Sequence, residues 1–229
     1  METRLFRVAI VVCTTLAGHS AAATEPDLNG VWLIDGPVSE LRPADGSSVP
    51  LTDWGKALYD KNKALRLQGD LSFDLASRRC ASPGAARMMT LPYPIEIFQR
   101  PFQVTLLFQW NHLYRLINMR SPPKEAPYPL AIGISNGHWE GNTLVVKTTD
   151  MTDNTQLDSS GLPHSNELQL IERIRLKRPG RLEDAMTLHD PKAFGHDWSV
   201  TLTYKKTGAK GIDQDICLDR LETGQPPFP

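Results

Sequence analysis

Two carboxylic acids stand where the pattern of apolar residues predicts the buried face of a sheet. Glu172 and Asp184 keep the two-residue spacing of the apolar side chains around them, which are Leu168, Leu170, Ile174, Leu176, Leu182, Met186 and Leu188. Burying a carboxylate is costly unless it is paired, and burial raises the carboxyl pKa toward values that suit acid–base catalysis. The pattern therefore predicts a polar cavity lined by these acids or a structural ion pair with Arg115 or Arg173, unless the strands bury their opposite faces.

A polar segment with one histidine is the second candidate for chemistry. Residues 150–167 contain His164 and four acids, which are Asp150, Asp153, Asp158 and Glu167. A histidine near carboxylates can act as a general base, so His164 with Glu172 or Asp153 is the predicted catalytic group. The alternative is a solvated loop whose acids cap turns, and the spacing does not match a calcium-binding EF-hand loop.

Other reactive signatures are weak or missing. The pairs His189-Asp190 and His196-Asp197 flank a predicted turn, but two such pairs occur easily by chance. The sequence contains no GxSxG, HExxH or phosphate-binding loop. We therefore predict no cofactor and no bound metal.

The charge composition argues against one large class of partner. The 229 residues include 25 lysines and arginines and 26 aspartates and glutamates, which gives a net charge of −1. Nucleic-acid-binding domains normally carry a basic excess, so we expect no nucleic-acid partner. No apolar run of membrane length follows the first segment, so we expect no integral membrane segment in the mature chain.

The first 23 residues have the organisation of a secretory signal peptide. Two arginines precede a short apolar segment, and three alanines at 21–23 follow it. A lipoprotein signal through Cys13 is the weaker alternative, because Val12 stands where a small residue is required. We therefore predict cleavage near Ala23 and a periplasmic or secreted protein.

Export changes the interpretation of the cysteines. Removal of residues 1–23 leaves Cys80 and Cys217 in an oxidising compartment, where a pair of cysteines predicts a disulfide. Two separate buried thiols are the alternative. The spacing of these cysteines fits no metal site.

Alternating hydrophobicity dominates the chain after residue 94. Before that point, residues 51–67 form the one convincing helix, with Thr52 as N-cap and with Trp54 and Leu58 on its apolar face. About eight strands at hairpin-like spacing predict a mainly β fold, because no strand–helix–strand rhythm is present. We expect residues 24–229 to form a single antiparallel β-barrel or strongly curved sheet of the lipocalin or calycin type, with one N-terminal helix. A flatter sandwich is the alternative.

Residues 137–176 resemble a large family of secreted bacterial proteins for which no activity is established, and the resemblance extends over most of the mature chain, from Asp27 to about Cys217. The resemblance rests on W-E-G-x-T-L-V-V at 139–146 and on DLNGVW, LTDWGKAL, RRCASPG, PYPIEIFQ and HDPKAF elsewhere. It implies a recurrent architecture and a shared set of residues, which are Tyr93, Glu96, Gln99, Trp139, Glu140, Gly141, His164, Ser165, Glu172 and Arg173. The chain departs from the pattern at Asn142, Lys147 and Asn166, where acids are more usual, which puts an acid–base role at Asn166 in doubt.

Three functions follow as hypotheses. The first is an exported protein that binds a small apolar or aromatic molecule in the barrel, with or without turnover. Its predicted ligand-binding residues are Tyr93, Glu96, Arg115, Trp139 and Asp184. The second is an isomerase, lyase or hydrolase that uses His164 with Glu172 or an aspartate of the 150–158 loop. The third is a structural protein of the cell envelope.

Overall fold

Nine strands close into one barrel in a computed structural model that describes residues 25–121, 123–125 and 127–228. The predicted signal peptide lies outside these residues. In chain order the strands are Gly30–Ile34 (β1), Ile95–Arg100 (β2), Gln103–Phe108 (β3), Tyr114–Asn118 (β4), Ile134–Glu140 (β5), Thr143–Thr149 (β6), Gln169–Arg178 (β7), Arg181–His189 (β8) and Trp198–Lys206 (β9). The predicted β-barrel is confirmed. It has nine strands, whereas the alternation predicts about eight.

Each strand pairs with its neighbours in sequence order, and β9 closes the barrel on β1. All pairs are antiparallel except β4 and β5, which run parallel and share only two residue pairs, Ile117 with Ser135 and Asn118 with Asn136. The expectation of a wholly antiparallel barrel is therefore wrong at this seam. Parallel neighbours need a long crossover, and the proline-rich connection over residues 119–133 supplies it.

The described residues also form four helices. The predicted helix is present as Asp53–Leu67 (α1), and the Thr52 hydroxyl caps it by accepting a hydrogen bond from the Gly55 amide. Its buried face is different from the prediction, because Gly55 rather than Trp54 packs inward. A Cβ on Gly55 would lie 2.3 Å from the Ala193 carbonyl oxygen, so only glycine permits this close approach.

Three further helices are too short for a helical period to be visible in the sequence. They are Leu75–Arg79 (α2), Ala85–Met88 (α3) and Cys217–Glu222 (α4). Their formation depends on tertiary contacts, because isolated helices of this length are unstable in water. No helix in the described ranges is long and apolar enough to cross a membrane.

The interior of the barrel is filled mainly by large buried side chains. Its apolar part includes Trp32, Ile97, Leu106, Ile117, Leu144, Ile174, Met186 and Leu202. Polar side chains interrupt this core on β4 through β8, and they form the network described next.

Candidate functional site

A hydrogen-bonded network surrounds one arginine inside the barrel. Arg115 on β4 donates from Nε to Ser135 Oγ at 2.8 Å and from Nη2 to Thr148 Oγ1 at 2.6 Å. Its Nη1 donates to Glu172 Oε1 at 2.8 Å, and Nη2 also contacts Glu172 Oε2, so the ion pair is bidentate. Both partners are buried, and the Glu172 carboxylate raises the pKa of Arg115 although burial by itself lowers it. Of the two roles weighed for Glu172, the contacts match the structural ion pair.

Asp184 on β8 lies beside this network and is fully buried. Neither of its carboxyl oxygens has a hydrogen-bond partner among the described residues. Burial, followed by the negative charge of Glu172, raises its pKa well above the usual value of 3.8, while Arg115 opposes the shift. Asp184 therefore favours its protonated form, which avoids a second buried negative charge.

The raised pKa makes a prediction for stability. The folded protein binds a proton at Asp184 more tightly than the unfolded chain does, so this residue lowers the free energy of unfolding as the pH rises above about 3.8. We expect Asp184→Asn, which cannot ionise, to be stabilised relative to the wild-type protein at pH 7 more than at pH 3. Chemical denaturation of both proteins across this range measures the difference. Parallel stability curves would contradict the assignment.

His164 lies in the loop after β6 and is buried. Its Nε2 is 2.8 Å from Thr155 Oγ1, and its Nδ1 is 2.8 Å from the Ser165 carbonyl oxygen. This carbonyl accepts a hydrogen bond, so Nδ1 carries the proton and the Thr155 hydroxyl donates to Nε2. Burial lowers the pKa of His164, and the Ser165 carbonyl and the charge of Asp190 oppose that shift. The contacts of the imidazole hold the loop together.

Buried Asp190 completes this second network. Its Oδ2 accepts the Ser165 amide at 2.6 Å and its Oδ1 accepts the Ser165 hydroxyl at 2.8 Å. Oδ1 also accepts the backbone amides of Lys192 and Ala193. The network therefore fastens the loop of residues 150–167 to the segment that follows β8.

The other sequence-predicted residues take no part in the hydrogen bonds described for the two networks. Asp153 is exposed, Glu96 is half-buried on β2, and Trp139 is half-buried on β5 against the apolar core. Tyr93 packs near the disulfide, with the Arg220 guanidinium 5.6 Å from its ring centre. The fold thus brings Arg115, Glu172 and Asp184 together, and the roles predicted for the remaining residues stay predictions.

The predicted disulfide between Cys80 and Cys217 is confirmed. It joins the end of α2 to the start of α4 and packs against Leu91 and Trp110. The bond therefore attaches the C-terminal segment to the outside of the barrel.

A groove lies over the β4–β5 seam on the outside of the barrel, and we call it the seam groove. It has a volume of about 540 Å³. Its apolar wall comprises Phe102, Tyr114, Leu116, Leu130 and Ile132. Phe102 is 61% exposed and Tyr114 is 58% exposed, so this wall faces solvent. The groove exists because two residue pairs are too few to close the seam along its length.

Two cations and one hydroxyl complete the seam groove. Arg120 and Lys124 line it, and the Arg120 guanidinium lies 4.8 Å from the Phe102 ring centre. Ser135 also lines the groove and accepts the Arg115 Nε–H, so the groove reaches the buried network of the barrel. Gly137 on β5 permits the two strands to approach, because a Cβ there would lie 2.7 Å from Ile117 Cγ2.

Sequence reasoning missed the seam groove, although β4 carries a signal for it. Tyr114 and Leu116 alternate with Arg115 and Ile117, so both faces of the strand carry large side chains. Exposed apolar residues grouped on one face often mark a binding surface. Ile132 lies beside Tyr114 and Leu116 because of the path of the crossover, and hydrophobic alternation gives no information about that path.

The structure gives no further support to a metal site. His189 Nδ1 and Asp197 Oδ1 are 2.6 Å apart on the surface, which brings together two residues of the paired His-Asp motif. Within the part of the chain that the structure describes, no group of three or more histidine, cysteine, aspartate or glutamate side chains is arranged to hold a metal ion.

Comparison with known proteins does not assign the chain to a family. No protein-family model matches it, and a search of curated proteins gives no significant match. The resemblance to secreted bacterial proteins therefore stays a prediction.

Proposed function

We propose that this protein is exported and binds a small aromatic or apolar molecule with an anionic group in the seam groove. One observation carries the proposal. A single groove of about 540 Å³ has an exposed apolar wall and is also lined by Arg120 and Lys124. Ligand sites are typically concave and mostly apolar, with a few polar groups that orient the ligand. The disulfide and the predicted signal peptide support export.

The groove chemistry narrows the ligand class. Tyr114 and Phe102 offer ring surfaces for stacking, and Leu116 and Ile132 add aliphatic contacts. The guanidinium of Arg120 and the ammonium of Lys124 favour a carboxylate or sulfonate at the polar end. The proposed binding site is the seam groove on the outside of the barrel, because side chains fill the interior.

Binding has more support than acid–base catalysis. Glu172 and Arg115 neutralise each other and are buried, and neither lines the groove, whereas Ser135 of the same network does. His164 is buried and bonded through both ring nitrogens to its own loop. Acid–base turnover needs a group that reaches the substrate, and the described residues that line the groove include no histidine, aspartate or glutamate.

The binding proposal is tested with an aromatic sulfonate probe, 1-anilinonaphthalene-8-sulfonate. We expect saturable fluorescence enhancement with the wild-type protein. Leu116→Glu should weaken probe binding about tenfold or more, because it removes an apolar contact and adds a repelling negative charge. Arg120→Gln should weaken binding of the sulfonate while it leaves binding of the uncharged probe N-phenyl-1-naphthylamine nearly unchanged.

Matched variants outside the groove serve as controls. Phe98 is an exposed aromatic residue on β2, and Arg100 is an exposed cation at the end of the same strand. Phe98→Glu and Arg100→Gln should retain the affinity of the wild-type protein. Equal affinity of all four variants for the sulfonate would overturn the assignment of the seam groove.

A further inference from the structure

Two arginines line a second cavity, which lies between α1, the α2–α3 region and the C-terminal segment. The cavity has a volume of about 350 Å³ and is separate from the seam groove, with no lining residue in common. Arg66 near the end of α1 and Arg87 in α3 both line it. We call it the arginine cavity.

Each arginine leaves one buried donor unused. Among the described residues, neither Arg66 Nε nor Arg87 Nε has a hydrogen-bond partner, and both atoms are buried. The Arg87 side chain is 1% exposed, whereas the Arg66 side chain is 35% exposed. Unsatisfied buried donors are rare in folded proteins, so two of them beside one cavity are unusual.

The nearby carboxylate cannot supply that acceptor. Asp74 Oδ1 accepts Arg87 Nη1 at 2.8 Å and the Ser77 amide at 3.1 Å. Its Oδ2 accepts Arg66 Nη2 at 3.3 Å and the Ser77 hydroxyl at 2.6 Å. Both oxygens of Asp74 are thus occupied by donors other than the Nε atoms.

The charges of Arg66, Arg87 and Asp74 do not cancel. Burial raises the pKa of Asp74, but the hydrogen bond and charge of Arg87 and the hydrogen bonds from Ser77 lower it by more than burial raises it. The pKa therefore lies below its usual value, and the carboxylate is ionised. Two guanidinium groups and one carboxylate leave one positive charge. An anion with one negative charge would balance it.

The rest of the wall combines apolar side chains with four hydroxyl residues, and its apolar part identifies the body of the ligand. Leu71, Leu91 and Phe228 line the cavity, and the Arg87 guanidinium lies 4.8 Å from the Phe228 ring centre. Phe228 is held in place by stacking on Trp110, with ring centres 5.1 Å apart. We propose that the arginine cavity binds a small organic carboxylate, with the carboxylate on Arg66 and Arg87 and the apolar body against Leu71, Leu91 and Phe228.

Calorimetric titration with benzoate tests the proposal. The titration uses protein that carries Leu116→Glu, so that binding at the seam groove is not counted. We expect one benzoate per chain and no detectable binding of benzamide, which has the same ring without the negative charge. Inorganic phosphate provides a third arm, and binding of phosphate without benzoate would overturn the assignment to an organic carboxylate.

Two substitutions locate the site, and one serves as the control. Arg66→Gln, added to the same background, should weaken benzoate binding about tenfold or more, because it removes a charge-assisted hydrogen bond. Arg79→Gln removes an equal charge from the exposed end of α2, outside the cavity, and should not change the affinity. Equal affinities for the Arg66 and Arg79 variants would overturn the proposal.

A third substitution guards against a loss of binding caused by misfolding. Ser159 lines the cavity, and Ser159→Glu places a carboxylate of the protein itself beside the arginines. We expect this variant to have an increased Tm and to lose benzoate binding. A folded Ser159→Glu variant that binds benzoate as before would contradict the cavity assignment. Because these measurements do not use the anilinonaphthalene probe, they can fail or succeed independently of the seam groove.

Discussion

Replacement of Arg115 by methionine is expected to lower the free energy of unfolding by about 3–5 kcal/mol. Arg115 is the one cation that the network places against Glu172, and its removal leaves the buried Glu172 carboxylate next to Asp184 without a partner. It also removes the donors that bond Ser135 and Thr148. Urea denaturation at pH 7 measures the loss.

Two comparisons separate this buried ion pair from a surface one. Arg173 forms a 2.9 Å pair with Glu140, and both side chains are about half exposed, so Arg173→Met should change stability much less. Adding Glu172→Leu to Arg115→Met should recover most of the lost stability, because replacing both members of a buried pair by apolar residues is often neutral. A small effect of Arg115→Met alone would show that the network contributes little.

Removal of the disulfide is the second change with a large expected effect. The double variant Cys80→Ala/Cys217→Ala should lose about 4–5 kcal/mol in the free energy of unfolding, by the chain-entropy account of a long closed loop. The two cysteines are 137 residues apart, so the bond restricts most of the unfolded chain. Thermal denaturation monitored by circular dichroism should show a lower Tm than that of the wild-type protein.

Reduction of the wild-type protein gives an independent measure of the same contribution. With dithiothreitol the wild-type Tm should fall toward that of the double variant, whereas the Tm of the double variant should not respond. A double variant as stable as the oxidised protein would mean that packing around Leu91 and Trp110, rather than the covalent bond, holds the C-terminal segment.

The arginine cavity gives the disulfide a further consequence. Phe228 stacks on Trp110, which packs in the same cluster as the disulfide, and Phe228 also forms part of the cavity wall. If the C-terminal segment detaches on reduction, the cavity loses that wall. Reduction should therefore weaken benzoate binding more than it weakens binding of the sulfonate probe at the seam groove.

The sequence determined the strands well because side-chain direction alternates along a strand and is visible in one dimension. The period-two spacing in 168–176 and 182–188 matches the buried faces of β7 and β8, and it placed Glu172 and Asp184 inside. The two cysteines and their expected compartment were enough to predict the disulfide that the structure contains. These predictions depend on local pattern or on simple chemical pairing.

Only the tertiary structure decided where those strands and side chains meet. Alternation carries no information on strand direction, so the parallel β4–β5 seam and its groove depend on how the crossover returns. The pairing of Glu172 with Arg115 depends on how β4 and β7 face each other in the closed barrel, whereas alternation alone already places Arg173 on the opposite face of β7 from Glu172. Arg66 and Arg87 meet at one cavity because α1, α3 and the C-terminal segment converge there, and no spacing in the sequence encodes that convergence. Local pattern thus determines most strands and the long helix, whereas long-range packing determines the short helices and the sites.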